Sequence, residues 1–278
     1  MNVLEFTFLV WAGSLVAGFL GALTGLGGGV VLVPLLTIFF HVDLRYAIGA
    51  SLVSVIATSS GSAAAYVKEG FSNIRIGMFL EIATTLGALL GAYLTAKVPA
   101  SAIAIIFGVM LVYSAYVSRR TRPRAEVEAP SDPLATRLNM NGTFPDTSGL
   151  RRYNVYRVPT GFGVMFGAGT LSGLLGIGSG ALKVVAMDQA MKIPFKVSTT
   201  TSNFMIGVTA AASVGVYLSR GYIDPALAMP VMLGVLIGSL MGTRVLVKTQ
   251  TKSLRLLFSG VIVLLGLEMM FKGVSGGF

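Results

Sequence analysis

Gly25-Leu26-Gly27-Gly28-Gly29 recurs as Gly176-Ile177-Gly178-Ser179-Gly180, 151 residues further on, and each cluster sits between two apolar runs. At membrane depth an irregular backbone is tolerated only where it is buried in protein or lines a cavity. A glycine-rich break that opens a helix exposes backbone N–H groups at the positive end of the helix dipole, which is an anion site made from main chain alone. Gly25, Gly27, Gly28 and Gly29, with Gly176, Gly178, Ser179 and Gly180, are therefore the candidate anion contacts. The competing reading is close helix packing, for which Gly21/Gly25 and Gly169/Gly173 have the small-xxx-small spacing. Duplication of the break, with a short apolar segment after each copy, favours the site.

Lys183 lies just after the second cluster among Ala181, Leu182, Val184 and Val185. A lysine at membrane depth costs about 3 kcal/mol on insertion scales and so marks a functional position, here a cationic contact for a bound anion. Pairing with Asp188 or Glu81, or snorkelling to an interface, is the alternative. The first half has Leu32 in this place, which predicts an asymmetric site. Ser51, Ser202 and Asn203, near the repeat register in the following helix of each half, offer hydroxyls and an amide to substrate oxygens. Serine and threonine in membrane helices also bond back to their own backbone. Glu81 and Asp188 are the acidic residues considered for proton coupling, although Glu81 is equally placed for an interfacial ion pair with Arg75.

Other chemistries lack their residues. The chain has no cysteine and one histidine, His41, which removes thiolate and imidazole metal clusters; neither a metal nor a cofactor is expected. Gly25 to Val30 does not complete G-x-G-x-x-G, and no G-x-x-x-x-G-K-[ST] is present, so nucleotide-driven work has no visible site. Ser179 and Lys183, four apart, match the spacing of a Ser/Lys nucleophile pair, which keeps an intramembrane hydrolase open as a weaker reading.

The elements that must hold these residues are membrane helices. Hydrophobic residues make up 54% of the chain and charged residues 12%, half the usual share of a soluble domain, so this is an all-α polytopic membrane protein. No Lys or Arg precedes the first apolar run, so that run is read as a retained helix rather than a signal peptide. With about 20 apolar residues needed to span, spans are expected near 3–23, 46–67, 76–96 and 101–117, and again near 159–175, 195–218, 226–247 and 254–271. Segments 30–40 and 181–191, at roughly 16 Å of helix, are half-helices too short to cross. Matches at the 151-residue offset include Val33/Val184, Ser51/Ser202, Thr58/Thr209, Tyr66/Tyr217 and Lys97/Lys248, so the chain is an internal duplication. It divides into residues 1–117, a basic linker over 118–158, and residues 159–278. The linker holds Pro123, Pro130, Pro133 and Pro145 without a sustained period and is expected to be flexible or interfacial.

The formal charge of +10 would invite nucleic acid in a soluble protein, but here Arg119, Arg120, Arg122, Arg124, Arg137, Arg151, Arg152 and Arg157 crowd the linker close to helix ends. By the positive-inside rule they place the linker in the cytoplasm and make nucleic acid an unneeded partner. The turn at Lys97 then lies outside, whereas its counterpart, with Arg244, Lys248, Lys252 and Arg255, prefers the inside. Equivalent turns on opposite sides mean two inverted-topology repeats. Each has a break and half-helix hairpin followed by three spanning helices, with both termini outside, an architecture recurrent in secondary transporters.

Gly21-Ala22-Leu23-Thr24-Gly25-Leu26-Gly27-Gly28-Gly29, with Pro34 downstream, Ala50-Ser51 in the next helix, and their second-half partners, resembles the TauE/SafE family of sulfite and organosulfonate permeases. The resemblance covers nearly everything but the linker. It implies a bacterial inner-membrane permease of about eight spans for sulfur-containing anions such as sulfite, sulfoacetate or aryl sulfonates. The second half departs from the family pattern at Ser179, where a third glycine is common, and at Val185, where proline is common. The reading is a secondary transporter of a small sulfur-containing anion by alternating access; a passive anion channel and the hydrolase are the alternatives.

Overall fold

A computed structural model describes residues 2–24, 28–68, 72–119, 131–146, 149–178, 180–248 and 252–276. The first half comprises α1 (Val3–Thr24), α2 (Gly29–Pro34) continued by a π-helical turn (Leu35–Phe39), α3 (Leu44–Lys68), α4 (Ile74–Leu94) and α5 (Ala100–Arg119). The second comprises α7 (Val158–Leu175), α8 (Gly180–Val185) continued by a π-helical turn (Ala186–Ala190), α9 (Phe195–Ser219), α10 (Pro225–Lys248) and α11 (Lys252–Ser275). Between them lie α6 (Pro133–Arg137) and the antiparallel strands β1 (Gly142–Asp146) and β2 (Gly149–Tyr153). Among the described residues, α1, α4, α7, α9 and α10 each provide a stretch long and apolar enough to cross a membrane. The protein is thus a helical, multi-pass membrane protein, with the linker hairpin as a small β addition.

Both expected short helices are present, and both end alike. His41 and Lys192, at the same place in the two halves, take left-handed φ values of 53° and 56°. The residue after each donates its N–H six residues back, Val42 to Leu36 (3.1 Å) and Ile193 to Met187 (3.0 Å), closing the carbonyls that a helix end leaves open. Pro34 is not the cause of the π-helical turns, because Val185 precedes an identical turn in the second half.

Helix pairing exchanges the halves. α1 packs beside α10 and α7 beside α4, each pair running parallel: Gly234 lies against the Trp11 carbonyl and Gly238 against that of Leu15, while Gly87 meets Phe166 and Gly91 meets Thr170. The self-related pairs run antiparallel. Asn73, just past α3, meets Thr201 near the start of α9, and Tyr46 near the start of α3 touches Tyr222 beyond the end of α9. Likewise Ser259 of α11 donates to the Ala115 carbonyl while Gly273 lies against that of Ser101 in α5.

These contacts depend on missing side chains, because helices in lipid associate by close packing rather than by hydrophobic exclusion. A Cβ on Gly91 would strike the Thr170 carbonyl, whereas Gly167, on the same helix pair, has nothing within 4 Å. Gly91→Leu is expected to lose most correctly folded protein, overpacking costing about 1–3 kcal/mol or more, and Gly167→Leu to be tolerated. Size-exclusion profiles of detergent-extracted fluorescent fusions would distinguish the two; equal profiles would contradict the packing account.

The described residues of the linker are folded rather than flexible. Asp132 caps α6 through Leu134 N–H (2.8 Å) and also takes the Val158 N–H that opens α7 (3.0 Å). Ala135, Met140, Phe144 and Val155 are buried in one cluster with Ile76, Met187, Met191 and Val197. No period announces this because each apolar residue fills its own crevice at the end of the bundle. The Asn141 carboxamide oxygen accepts from Val155 N–H and Ser131 Oγ, so Asn141 holds the hairpin in place.

Candidate functional site

Chain geometry brings the two glycine breaks together at the crossing of α3 and α9. Gly176 ends α7 in the left-handed region, φ 68°, with its N–H on the Ser172 carbonyl (2.8 Å). Its own carbonyl is turned across the repeat to accept from Ser51 Oγ (2.8 Å). A Cβ on Gly29, the first residue of α2, would meet that same Ser51 Oγ, Val55 and the Gly176 carbonyl. Gly178, also left-handed at φ 67°, and Gly180 both lie under Ile206, and Ser202 Oγ donates to the Gly180 carbonyl (3.1 Å). Of the expected contacts, Gly29, Ser51, Gly176, Gly178, Gly180 and Ser202 therefore converge.

The rest are placed differently. Gly28 caps α2 but turns toward Val235 of α10. Asn203 is half-buried beside Ser202. Gly25, Gly27 and Ser179 lie outside the described residues. Asp188 sits in the π-helical turn after α8.

Lys183 is fully enclosed, at 0% exposure. Its ammonium donates to Thr209 Oγ1 of α9. Thr209 Oγ1 lies 2.7 Å from Glu81 Oε1 on α4, which Thr85 Oγ1 also reaches at 3.2 Å. Glu81 is 8% exposed, and its Oε2 has no hydrogen-bond partner among the described residues. Thr209 is one turn, roughly 5 Å, along α9 from Ile206, the residue that covers Gly178 and Gly180. The Lys183–Thr209–Glu81 relay thus adjoins the paired breaks.

The interfacial partner considered for Glu81 is elsewhere: Arg75 Nη1 donates to the Asn139 carbonyl of the linker. The sequence reading picked out both charges but missed their bridge, Thr209, and the cover, Ile206. A signal for the charges lies in the duplication. Lys183 corresponds to Leu32 and Glu81 to Met232, whereas Thr209 keeps its partner Thr58.

Polar ties close both ends of the bundle. At the linker end, Asn73 Oδ1 caps α4 through Ile76 N–H (3.1 Å), its Nδ2 donates to the Met140 carbonyl and to the Tyr153 hydroxyl (2.7 Å), and its N–H donates to Thr201 (3.0 Å). Burial pushes the Tyr153 hydroxyl above its ordinary pKa, opposed by the bond from Asn73. A polar cleft of 220 Å³ opens beside them, lined in part by Ser72, Arg75, Asn139 and Thr143. At the other end Tyr217 OH donates to the Gly173 carbonyl (2.9 Å) and pairs with Thr95 (2.8 Å), and Arg220 donates to the Ala92 and Tyr93 carbonyls (3.0 Å each).

Residues 10–269 match the family model described as Sulfite exporter TauE/SafE. A "Probable membrane transporter protein" of Bacillus subtilis, YunE, is 29% identical over 98% of this chain and 99% of its own length. A second from the same organism, YdhB, is 26% identical over 83% and 84%, and one from Methanocaldococcus jannaschii 25% over 96% and 98%. No solved structure matches the chain significantly. Family and relatives alike indicate a membrane transporter. With that match running through both halves, the chain belongs to the TauE/SafE sulfite exporter family.

Proposed function

We propose that the protein is a secondary transporter of a small sulfur-containing anion, sulfite or an organosulfonate, working by alternating access about the paired glycine breaks. The observation that carries this reading is the contact of the breaks across the repeat, where Ser51 of one half bonds Gly176 of the other. Two half-helix starts then direct main-chain N–H groups and dipoles toward one region, and Lys183 adds a cation nearby. Gly25, Gly27 and Ser179 complete the proposed set, with Asn203 at its margin.

The antiparallel α3/α9 and α5/α11 pairs support an inverted relation between residues 1–117 and 159–278, because a twofold that reverses its own helices lies in the membrane plane. The linker, residues 118–158, is cytoplasmic in this reading and both termini are outside, in a bacterial inner membrane. Contact of Gly273 with Ser101, at the end of α5 remote from the linker, agrees with that placement. The polar ties at both ends are the gates that would open in turn. A monovalent anion crossing alone carries charge, so proton coupling belongs to the reading, with Glu81 and Asp188 as its acidic candidates.

Purified protein in liposomes tests the reading with sulfite and p-toluenesulfonate. Saturable uptake that accelerates when the same anion is preloaded is the expected result. Flux without such exchange would favour an anion channel, and cleavage of peptide or lipid without flux the Ser179/Lys183 hydrolase.

A further inference from the structure

Glu81 is buried with one oxygen engaged and the other unpartnered among the described residues. Among the described residues, the groups that face it are few. α4 itself supplies Thr84 and Thr85, α9 supplies Thr209, and α8 supplies Lys183 through Thr209. α7, packed along α4, carries no titratable residue, Lys196 belongs to the first turn of α9, and Asp188 lies in the π-helical turn beyond Lys183. Lys183 is accordingly the cation that balances Glu81.

An ammonium and a carboxylate joined by one hydroxyl are together near neutral. Bringing a monovalent anion to Lys183 while Glu81 stays ionised would leave two negative charges sharing one cation in a low-dielectric interior, an arrangement that burial penalises strongly. Protonating Glu81 at its open oxygen restores neutrality. Anion and proton therefore favour each other's binding, and by linkage the effect is equal in both directions.

We infer that Glu81 carries the proton that accompanies the anion, and that Lys183 passes from the Thr209-bridged carboxylate to the bound anion as that proton arrives. The inference rests on the anion-carrier reading above. The loaded site holds anion, ammonium and neutral carboxyl; on release the proton leaves Glu81 and the Lys183–Thr209–Glu81 bridge re-forms for the return. Translocation of a monovalent anion is then electroneutral, one proton per anion.

The test uses full-length protein in liposomes with a lumenal pH dye and p-toluenesulfonate, whose acid is fully dissociated and so moves no proton itself. Wild-type uptake should acidify the lumen with a ratio near one, and apparent affinity should fall by up to about tenfold per pH unit on the alkaline side. Glu81→Gln, a stand-in for the protonated carboxyl, should still bind the anion, lose the lumenal acidification and the pH dependence, and require an inside-positive potential for uptake. Saturable wild-type uptake with no proton movement, or Glu81→Gln uptake still accompanied by protons, would overturn the inference while leaving the carrier reading intact. Absence of any toluenesulfonate or sulfite binding would overturn both. If Glu81→Gln does not fold, the wild-type ratio still tests the coupling: a value near one supports it and a value near zero overturns it.

Discussion

Lys183→Met should abolish anion uptake, by about 100-fold or more for loss of a charged contact in a dry site, and should also destabilise the protein by about 3–5 kcal/mol. The two effects have separate causes. Methionine keeps the length of the stem but leaves Glu81, 8% exposed, without its cation. Breaking one partner of a buried pair is costly because the remaining charge is uncompensated, whereas replacing both by apolar residues is often neutral. The double variant Lys183→Met with Glu81→Met should therefore recover thermal stability in detergent without recovering uptake. If the single variant were as stable as wild type and transported equally well, the relay would be neither a structural pair nor part of the site.

Gly176→Ala should come next in size. Gly176 combines a left-handed φ of 68° with close neighbours, since an added methyl would press on Ile48 and its carbonyl. Gly221 has a similar φ of 73° and nothing within 4 Å, so Gly221→Ala isolates the backbone cost, about 1–2 kcal/mol. Gly176→Ala adds overpacking of about 1–3 kcal/mol and displaces the carbonyl that Ser51 holds. Its melting temperature should fall well below that of Gly221→Ala, and uptake should drop at least about tenfold, on the 1.4 kcal/mol per decade scale. Equal behaviour of the two variants would mean that contact between the breaks is unimportant.

Much of the bundle was readable because lipid makes strict demands on sequence. An apolar run of spanning length has few alternatives to a helix, and the helix limits came within a few residues of those expected, as for 3–23 against Val3–Thr24. Length marked the short segments 30–40 and 181–191, and duplication paired them and aligned Ser51 with Ser202. The π-helical turns were invisible because their residues are ordinary apolar ones, and the left-handed caps at His41 and Lys192 follow from the return of the chain. The folding of the linker escaped detection because its apolar residues answer to crevices at the end of α4, α7 and α9.

The site was half legible for a related reason. Lys183 and Glu81 stand out as charges at membrane depth, and each replaces an apolar residue of the opposite half. That they meet through Thr209 is a property of how α4, α8 and α9 converge. Thr209, matched by Thr58, looks in the sequence like one more hydroxyl in a membrane helix.

The chain contains no cysteine, so one introduced thiol reports without background. Ser51→Cys, first checked for anion exchange, places that thiol at the contact of the breaks in reconstituted liposomes of fixed orientation. Alternating access predicts labelling by a membrane-impermeant thiol reagent from either face, slowed by p-toluenesulfonate on both. Labelling from one face only, indifferent to the anion, would contradict a substrate site alternately exposed between the two glycine breaks.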